Sequence, residues 1–368
     1  MHKESKLPLN NFVGCLLGGA IGDALGAPIE FMSINEIKNK YGQQGITDYV
    51  EYANGCGEFT DDTQMTLFTA EGLLRAYFRA SHRGTWGAVY GISHESLLRW
   101  LHTQEHGQYK HPKHEDRIIS NWLIQQNELY KLRAPGNTCL AALQSGIMGT
   151  MEKPINNSKG CGTIMRMAPV GLIEPGETEQ NFKLGCELSA LTHGHPSGYL
   201  SGGFFAAIIS ELAVGTKLRA AIEVVRDILV KYKHHEETLR AVNAALELFD
   251  DVTKIGVAPS PELIEQLGEG WVAEEALAMS IFAALLYEND FEKGVLFSVN
   301  HSGDSDSTGS IVGNILGLIN GPNRIPRQWA NNLYSANLVM EIAEDLYHQS
   351  KVSGYGNDDF RWVYKYIN

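Results

Sequence analysis

The chain has 368 residues, 43% of them hydrophobic, which is ample for a large buried core; a length prior alone allows about two domains. Lys+Arg 30 against Asp+Glu 43 leave a net charge of -13, which opposes nonspecific binding to nucleic acid or to an anionic membrane. Five cysteines (Cys15, Cys56, Cys139, Cys161, Cys186) lie scattered without a C-x-x-C pair, a pattern of free thiols in a reducing cytoplasm rather than of a disulfide framework or a structural zinc.

Residues 1–10 read as an N-terminal segment and residues 11–368 as one domain without a convincing internal linker. The apolar run from Phe12 to Gly22 has the look of a signal-peptide core, but Glu4 lies in the supposed basic region and Asp23 interrupts the place of a cleavage site. No run reaches the ~18–20 apolar residues of a membrane span. Residues 10–27 read instead as a helix with Gly14, Gly18, Gly22 and Gly26 on one face, where a second helix can approach closely. Asp23, in its last turn, and Glu30, just beyond it, read singly as caps or surface acids.

Ser33-Ile34-Asn35-Glu36 has capping-box spacing and starts a short helix. Residues 42–57 read as a loop with a short extended piece, followed by an acidic turn and a helix to about Arg79. Residues 81–114 carry His82, His94, His102, His106, His111 and His114, but without a clear H-x-x-x-H face, so a solvated loop around a helix at 93–101 is expected rather than zinc. Helices are expected at 115–131 and 137–151, then at 217–232, 236–251, 272–288 and 306–319. The stretch Asn157-Ser158-Lys159-Gly160-Cys161-Gly162-Thr163 leaves backbone amides open before a helix start, a setting suited to phosphate oxygens, though it is neither a Walker loop nor a dinucleotide fingerprint. Beyond it, His193 suits a ligand phosphate or ribose, or a buried carbonyl, and Pro196 opens another helix. Gly309, Gly313 and Gly317 repeat the close-packing pattern of the first helix, and sustained alternation is rare, so the fold class is all-α.

Two acidic stretches carry the chemistry. Thr60-Asp61-Asp62-Thr63 and Gly303-Asp304-Ser305-Asp306-Ser307 each open a helix, and a carboxylate there commonly does no more than cap it. The four carboxylates with the Thr60 and Ser307 hydroxyls also form an all-oxygen set, which suits Mg2+, Ca2+ or Mn2+, whereas zinc and copper favour histidine or cysteine. Four negative charges offset two divalent ions, so a paired-metal site is expected if the two loops meet in space.

Together with Gly18-Gly19-Ala20-Ile21-Gly22-Asp23-Ala24-Leu25-Gly26, Gly162-Thr163-Ile164-Met165-Arg166-Met167-Ala168-Pro169 and Thr192-His193, these stretches resemble the ADP-ribosylglycohydrolase family from about Asn11 to about Leu318. The resemblance implies a compact single-domain helical fold with two Mg2+ or Mn2+ ions at the bottom of a cleft. It implies Thr60, Asp61, Asp62, Asp304, Asp306 and Ser307 as metal ligands, Glu30 as the acid that closes over the site, and Gly160, Cys161, Gly162, Thr163 and His193 as holders of ADP-ribose. Ser307 stands where many relatives have threonine and keeps the ligand oxygen; Cys161 stands where asparagine is usual and loses an amide.

Such a centre would orient the distal ribose and activate water, with Asp62 or Asp304 as general base. A helical phosphohydrolase would show a His-Asp dipeptide, which does not occur in the sequence, while a noncatalytic ADP-ribose-binding or partner-blocking protein would keep the same residues. The acidic turn is most similar to arginine-directed members, so ADP-ribosyl-arginine on a modified protein is the expected substrate, with serine-linked or O-acetyl-ADP-ribose as alternatives. A cognate ADP-ribosyltransferase or toxin is a candidate partner, and residues 81–114 and 1–10 are candidate contacts.

Overall fold

The computed structural model describes residues 7–50, 56–84, 87–105, 121–350 and 360–366. Its helices are α1 (Leu9–Gly26), α2 (Ile34–Tyr41), α3 (Asp61–Arg83), α4 (Val89–Gln104), α5 (Asn137–Gln144), α6 (Ala168–Ile173), α7 (Thr178–Ala190), α8 (Pro196–Leu212) and α9 (Leu218–Leu229). They continue with α10 (Glu236–Ile255), α11 (Pro261–Ile264), α12 (Ala273–Leu286), α13 (Phe291–Val299), α14 (Ser305–Asn320), α15 (Arg327–Asn332), α16 (Ala336–Ser350) and α17 (Phe360–Tyr366). Among the described residues extended pairing is limited to two isolated bridges, Gly57 with Leu333 and Gly160 with Val272. The fold is all-α, as the sequence implies.

The glycine pattern explains the centre of the fold. Helix α1 is buried from Phe12 to Gly26 and runs antiparallel to α14, Gly14 meeting Gly317, Gly18 meeting Gly313 and Gly22 meeting Gly309. A Cβ added at Gly22 would stand 1.9 Å from the Gly309 carbonyl oxygen, so backbone touches backbone where any side chain would force the helices apart. Asn314 Nδ2 donates to the Cys15 carbonyl at 2.8 Å and fixes the register of the pair. The helices around this pair supply a continuous apolar core that includes Phe12, Phe68, Phe204, Phe205, Phe282, Trp100 and Trp329, each fully buried and each stabilising by about 1.5–3 kcal/mol or more. Because α1 and α14 lie antiparallel, the C-terminal end of α1 is brought to the N-terminus of α14, with Gly26 packed on Ser305 and Asp306.

Several local expectations need correction. Residues 121–131 form two 3-10 turns, Leu123–Gln125 and Asn127–Tyr130, not the end of a helix. Helix α5 stops at Gln144, where Ser145 Oγ turns back to the Ala142 carbonyl and Gly146 takes φ +66. His94 and His102, expected near a solvated loop, lie buried on α4, while His106, His111 and His114 fall outside the described residues. The stretch after Thr163 begins with one 3-10 turn, Ile164–Arg166, before α6 starts at Ala168. By contrast the Ser33 box is present, with Ser33 N donating to Glu36 Oε2 at 2.8 Å and Glu36 N donating to Ser33 Oγ at 3.4 Å.

Candidate functional site

The site forms where the C-terminal end of α1 and the N-termini of α3 and α14 converge. At the start of α3 the first-turn amides are satisfied without Asp61 or Asp62. Thr60 Oγ1 accepts from Asp62 N at 3.3 Å, and Asp23, reaching across from α1, accepts from Thr60 N at 2.8 Å, Thr63 N at 3.0 Å and Thr63 Oγ1 at 2.6 Å. Asp23 is therefore neither a surface acid nor a cap of its own helix; it is fully buried and holds the acidic turn in place. Asp61 Oδ2 is oriented by the Gly136 amide at 3.1 Å, and buried Asp62 Oδ2 has no hydrogen-bond partner.

At the start of α14, Asp304 occupies the N-cap position yet makes no side-chain capping bond, and its Oδ2 is likewise buried and unpartnered. Asp306 Oδ1 accepts from Ser307 N at 2.9 Å. Gly303 takes φ +110, open to glycine at no steric cost, and a Cβ there would stand 2.1 Å from the Glu269 carbonyl oxygen, which accepts from Asp304 N at 2.8 Å. Only glycine lets the 269–271 loop press so closely on the turn that presents Asp304.

The two stretches are both tied to the end of α1, Asp23 bonding Thr60 and Thr63 and Gly26 packing on Ser305 and Asp306, but Asp61 and Asp62 do not join the tightest group of ligand atoms. Ligand-capable atoms of Glu30, Asp304 and Asp306 all lie within 4.8 Å of one another. Burial, and then Asp306, Asp23, Asp61 and Asp304, hold the Asp62 carboxyl well above its usual range, and burial with Asp306 does the same to Asp304. Burial raises Asp61 as well, opposed by the Gly136 amide. Glu30 is pushed up to about 10 by burial and then by Asp306, Asp304, Asp61 and Asp23. Asp23 rises to about 7 through burial and Asp306, against the pull of the Thr63 and Thr60 hydrogen bonds. Full ionisation of so many packed carboxylates needs compensating positive charge. Two orphaned, buried carboxylate oxygens and an oxygen-rich donor set fit hard divalent cations.

A second wall comes from residues 157–163. Cys161 N donates to the Trp271 carbonyl at 3.1 Å and Ala273 N donates to the Lys159 carbonyl at 2.8 Å, tying this loop to the start of α12. The Cys161 amide is thus spoken for rather than open to a ligand. Burial, and then the charges of Asp304 and Asp62, hold the half-buried Cys161 thiol well above the ordinary thiol range. His193 is buried against Gly160 and Gly162, with its Nε2 3.2 Å from where a Gly160 Cβ would stand. Its Nδ1 pairs with Thr192 Oγ1 at 2.9 Å, and burial with the Arg166 charge pushes its pKa down to about 3, so the ring is neutral. Thr163 Oγ1 donates to the Gly160 carbonyl at 3.2 Å and closes the turn.

Sequence reasoning missed three contributors. Asp23 was legible only as a motif letter, because its partners lie 37 and 40 residues away. Arg166, fully buried, donates from Nε to the Gly162 carbonyl and from Nη2 to Leu188 O and Thr192 Oγ1, each at 3.0 Å, bracing the loop from behind. Phe31, next to Glu30, has φ +69 and is 71% exposed, and it stacks on Trp271 with centroids 5.1 Å apart. A non-glycine residue in this left-handed region, beside an aromatic partner, was the available signal only once the backbone was known.

Comparison with known proteins bears on the family and the fold. The profile of the family described as ADP-ribosylglycohydrolase matches residues 4–355. The chain is 23% identical over 358 residues to the ADP-ribosylarginine hydrolase Tri1 of Serratia proteamaculans (strain 568), covering 93% of this chain and 80% of that one. It is 23% identical over 325 residues to the ADP-ribosyl-[dinitrogen reductase] glycohydrolase of Rhodospirillum rubrum, covering 87% and 89%. A solved structure, an ADP-ribosylglycohydrolase-related protein complex, superposes with a TM-score of 0.65 at 22% identity over 93% of this chain and 98% of that one, a likeness of fold. With a profile match that spans nearly its whole length, the chain belongs to the ADP-ribosylglycohydrolase family.

Proposed function

We propose that this protein hydrolyses the N-glycosidic bond of ADP-ribosyl-arginine on modified proteins, releasing ADP-ribose and unmodified arginine. The observation that carries the reading is the buried carboxylate cluster with orphaned oxygens on Asp62 and Asp304, in a chain of this family. Capping accounts for neither residue, since Thr60 and Asp23 serve the amides of α3 and Asp304 makes no side-chain cap bond.

Thr60, Asp61, Asp62, Asp304, Asp306 and Ser307 would hold two Mg2+ or Mn2+ ions, which when bound supply charge to orient vicinal hydroxyls and to lower the pKa of water. Asp62 and Asp304 each keep an oxygen with a free lone pair, so either can accept the proton of the attacking water as general base. Glu30, half-buried at the edge of the cluster, orients the substrate over it. Residues 160–163, braced by Arg166 and neutral His193, form a fixed wall against which the ADP-ribose is held. An acidic cleft tolerates the cationic guanidinium of the leaving arginine. The Serratia proteamaculans relative, named as an ADP-ribosylarginine hydrolase, supports this acceptor at 23% identity.

The partner is accordingly an ADP-ribosylated protein, and reversal of a cognate transferase or toxin is the biological setting we favour, in the cytoplasm. Among the described residues no helix is long and apolar enough to cross a membrane. Of the surfaces expected to contact such a transferase, residues 1–6, 85–86 and 106–114 lie outside the described residues. The acceptor is tested by presenting arginine-, serine- and acetyl-linked ADP-ribose at equal concentration: preferential release from arginine supports the reading, and preference for either alternative refutes it.

A further inference from the structure

Lys159 stands one residue before the turn assigned to ADP-ribose, and its side chain is already engaged. Its Nζ donates to Glu237 Oε1 at 2.7 Å and to Glu274 Oε1. Glu237 lies in the first turn of α10 and Glu274 in the first turn of α12, and Glu237 Oε2 accepts from Ser197 Oγ in the first turn of α8. One ammonium thus gathers the starts of three helices onto the loop. The backbone is anchored beside it: the Lys159 carbonyl accepts from Ala273 N at 2.8 Å and the Ser158 carbonyl from His195 N at 3.1 Å. The Glu274 side chain is only 6% exposed and its Oε2 has no partner, so loss of the ammonium would strand a buried carboxylate, a far larger penalty than loss of an exposed ion pair. Two carboxylates against one ammonium leave the group negative, which ill suits direct contact with an anionic pyrophosphate.

We infer that Lys159 is a positioning residue for ADP-ribose: clamped by Glu237 and Glu274, it fixes the Gly160–Thr163 turn against α8, α10 and α12, so the nucleotide meets a wall already in its binding geometry. The inference rests on the proposed function above, which gives this turn its ligand. A wall ordered before binding spares the ligand the cost of ordering it, and that saving appears as affinity. The acidic cluster is carried on α1, α3 and α14, and the clamp on α8, α10 and α12, so the clamp acts on binding and leaves the cleavage step to the cluster.

The test measures binding of free ADP-ribose to the full chain in saturating Mn2+ by calorimetry, for the wild type, Lys159→Met, Lys159→Arg and the double variant Glu237→Met with Glu274→Met. Lys159→Met and the double variant change the local charge in opposite directions, so a purely electrostatic effect on an anionic ligand would weaken one and tighten the other. A clamp predicts that both bind ADP-ribose at least about tenfold more weakly, while Lys159→Arg stays within about threefold of the wild type. Lys159→Met should also hold as much Mn2+ as the wild type, which shows it folded with its centre intact. On an ADP-ribosyl-arginine protein its KM should rise by a similar factor with kcat within about threefold. Unchanged affinity in Lys159→Met, or tighter binding by the double variant, overturns the inference, the second by making Lys159 a direct partner of the phosphates. Loss of Mn2+ by Lys159→Met overturns it as well, since the clamp would then support the whole fold rather than the wall. If the wild type in Mn2+ binds no ADP-ribose, the proposed function falls and the inference with it.

Discussion

Removing divalent cations should make this fold less stable as pH rises. The Asp23 carboxyl lies at about 7 in the fold against an ordinary 3.8, raised by burial and by Asp306. A carboxyl raised by folding supports the folded state while it is protonated; that support is complete below about pH 4 and is lost as pH climbs through about 7. Between pH 5 and pH 8 the loss from Asp23 alone is about 3 kcal/mol, at about 1.4 kcal/mol per unit. Glu30, pushed up to about 10 from 4.5, acts in the same direction across the same window. With an unfolding entropy of about 2.1 cal/mol/K per residue over 368 residues, 3 kcal/mol corresponds to roughly 4 °C. The assay is thermal unfolding at pH 5 and pH 8, in chelator and in saturating Mn2+. The chelated protein should lose at least about 4 °C relative to the Mn2+ form over that range, because an ion that binds ionised carboxylates stabilises more as pH rises. Parallel pH dependence in the two conditions would refute the reasoning.

Alanine at Asp62 or at Asp304 should lower turnover by at least about 100-fold while leaving the chelated protein as stable as the wild type or more so, since each removes a buried carboxyl oxygen that has no partner; kcat and unfolding midpoints measured side by side check this. Glu30→Gln should keep its full metal content and lose rate, and loss of an equivalent by metal analysis would instead make Glu30 a ligand, which its closeness to Asp304 and Asp306 allows. Gly22→Ala should cost about 3 kcal/mol or more, because the added Cβ meets the Gly309 carbonyl at 1.9 Å and backbone cannot give way as a side chain can; an unfolding midpoint within about 1 °C of wild type would contradict the packing argument.

What the sequence made legible is what short-range pattern encodes. Four-residue glycine spacing in α1 and α14 announced two helices that touch through backbone, and the Ser33 box announced α2, because both signals lie within one or two turns. The two acidic stretches were legible as helix starts, but whether the carboxylates of the first cap or project is decided by Asp23, whose bonds to Thr60 and Thr63 come from another helix. Residues 115–131 looked helical by apolar spacing, yet the part described is two 3-10 turns, with Leu123, Ile124 and Leu129 buried. Spacing alone does not separate a helix from a buried irregular segment. The histidines of α4 misled in the opposite sense, since His94 and His102 are buried by tertiary packing that a polar local pattern does not reveal.

The central claim, a metal-dependent cleavage at the Asp61–Asp62 and Asp304–Asp306 cluster, is tested most directly by release of ADP-ribose from an ADP-ribosyl-arginine protein before chelation, in excess chelator, and after Mg2+ or Mn2+ is restored. The account predicts release that stops in chelator and returns with either ion. Undiminished release by a protein shown to hold no metal, or no release from arginine-, serine- or acetyl-linked substrates by the ion-loaded protein, would contradict it.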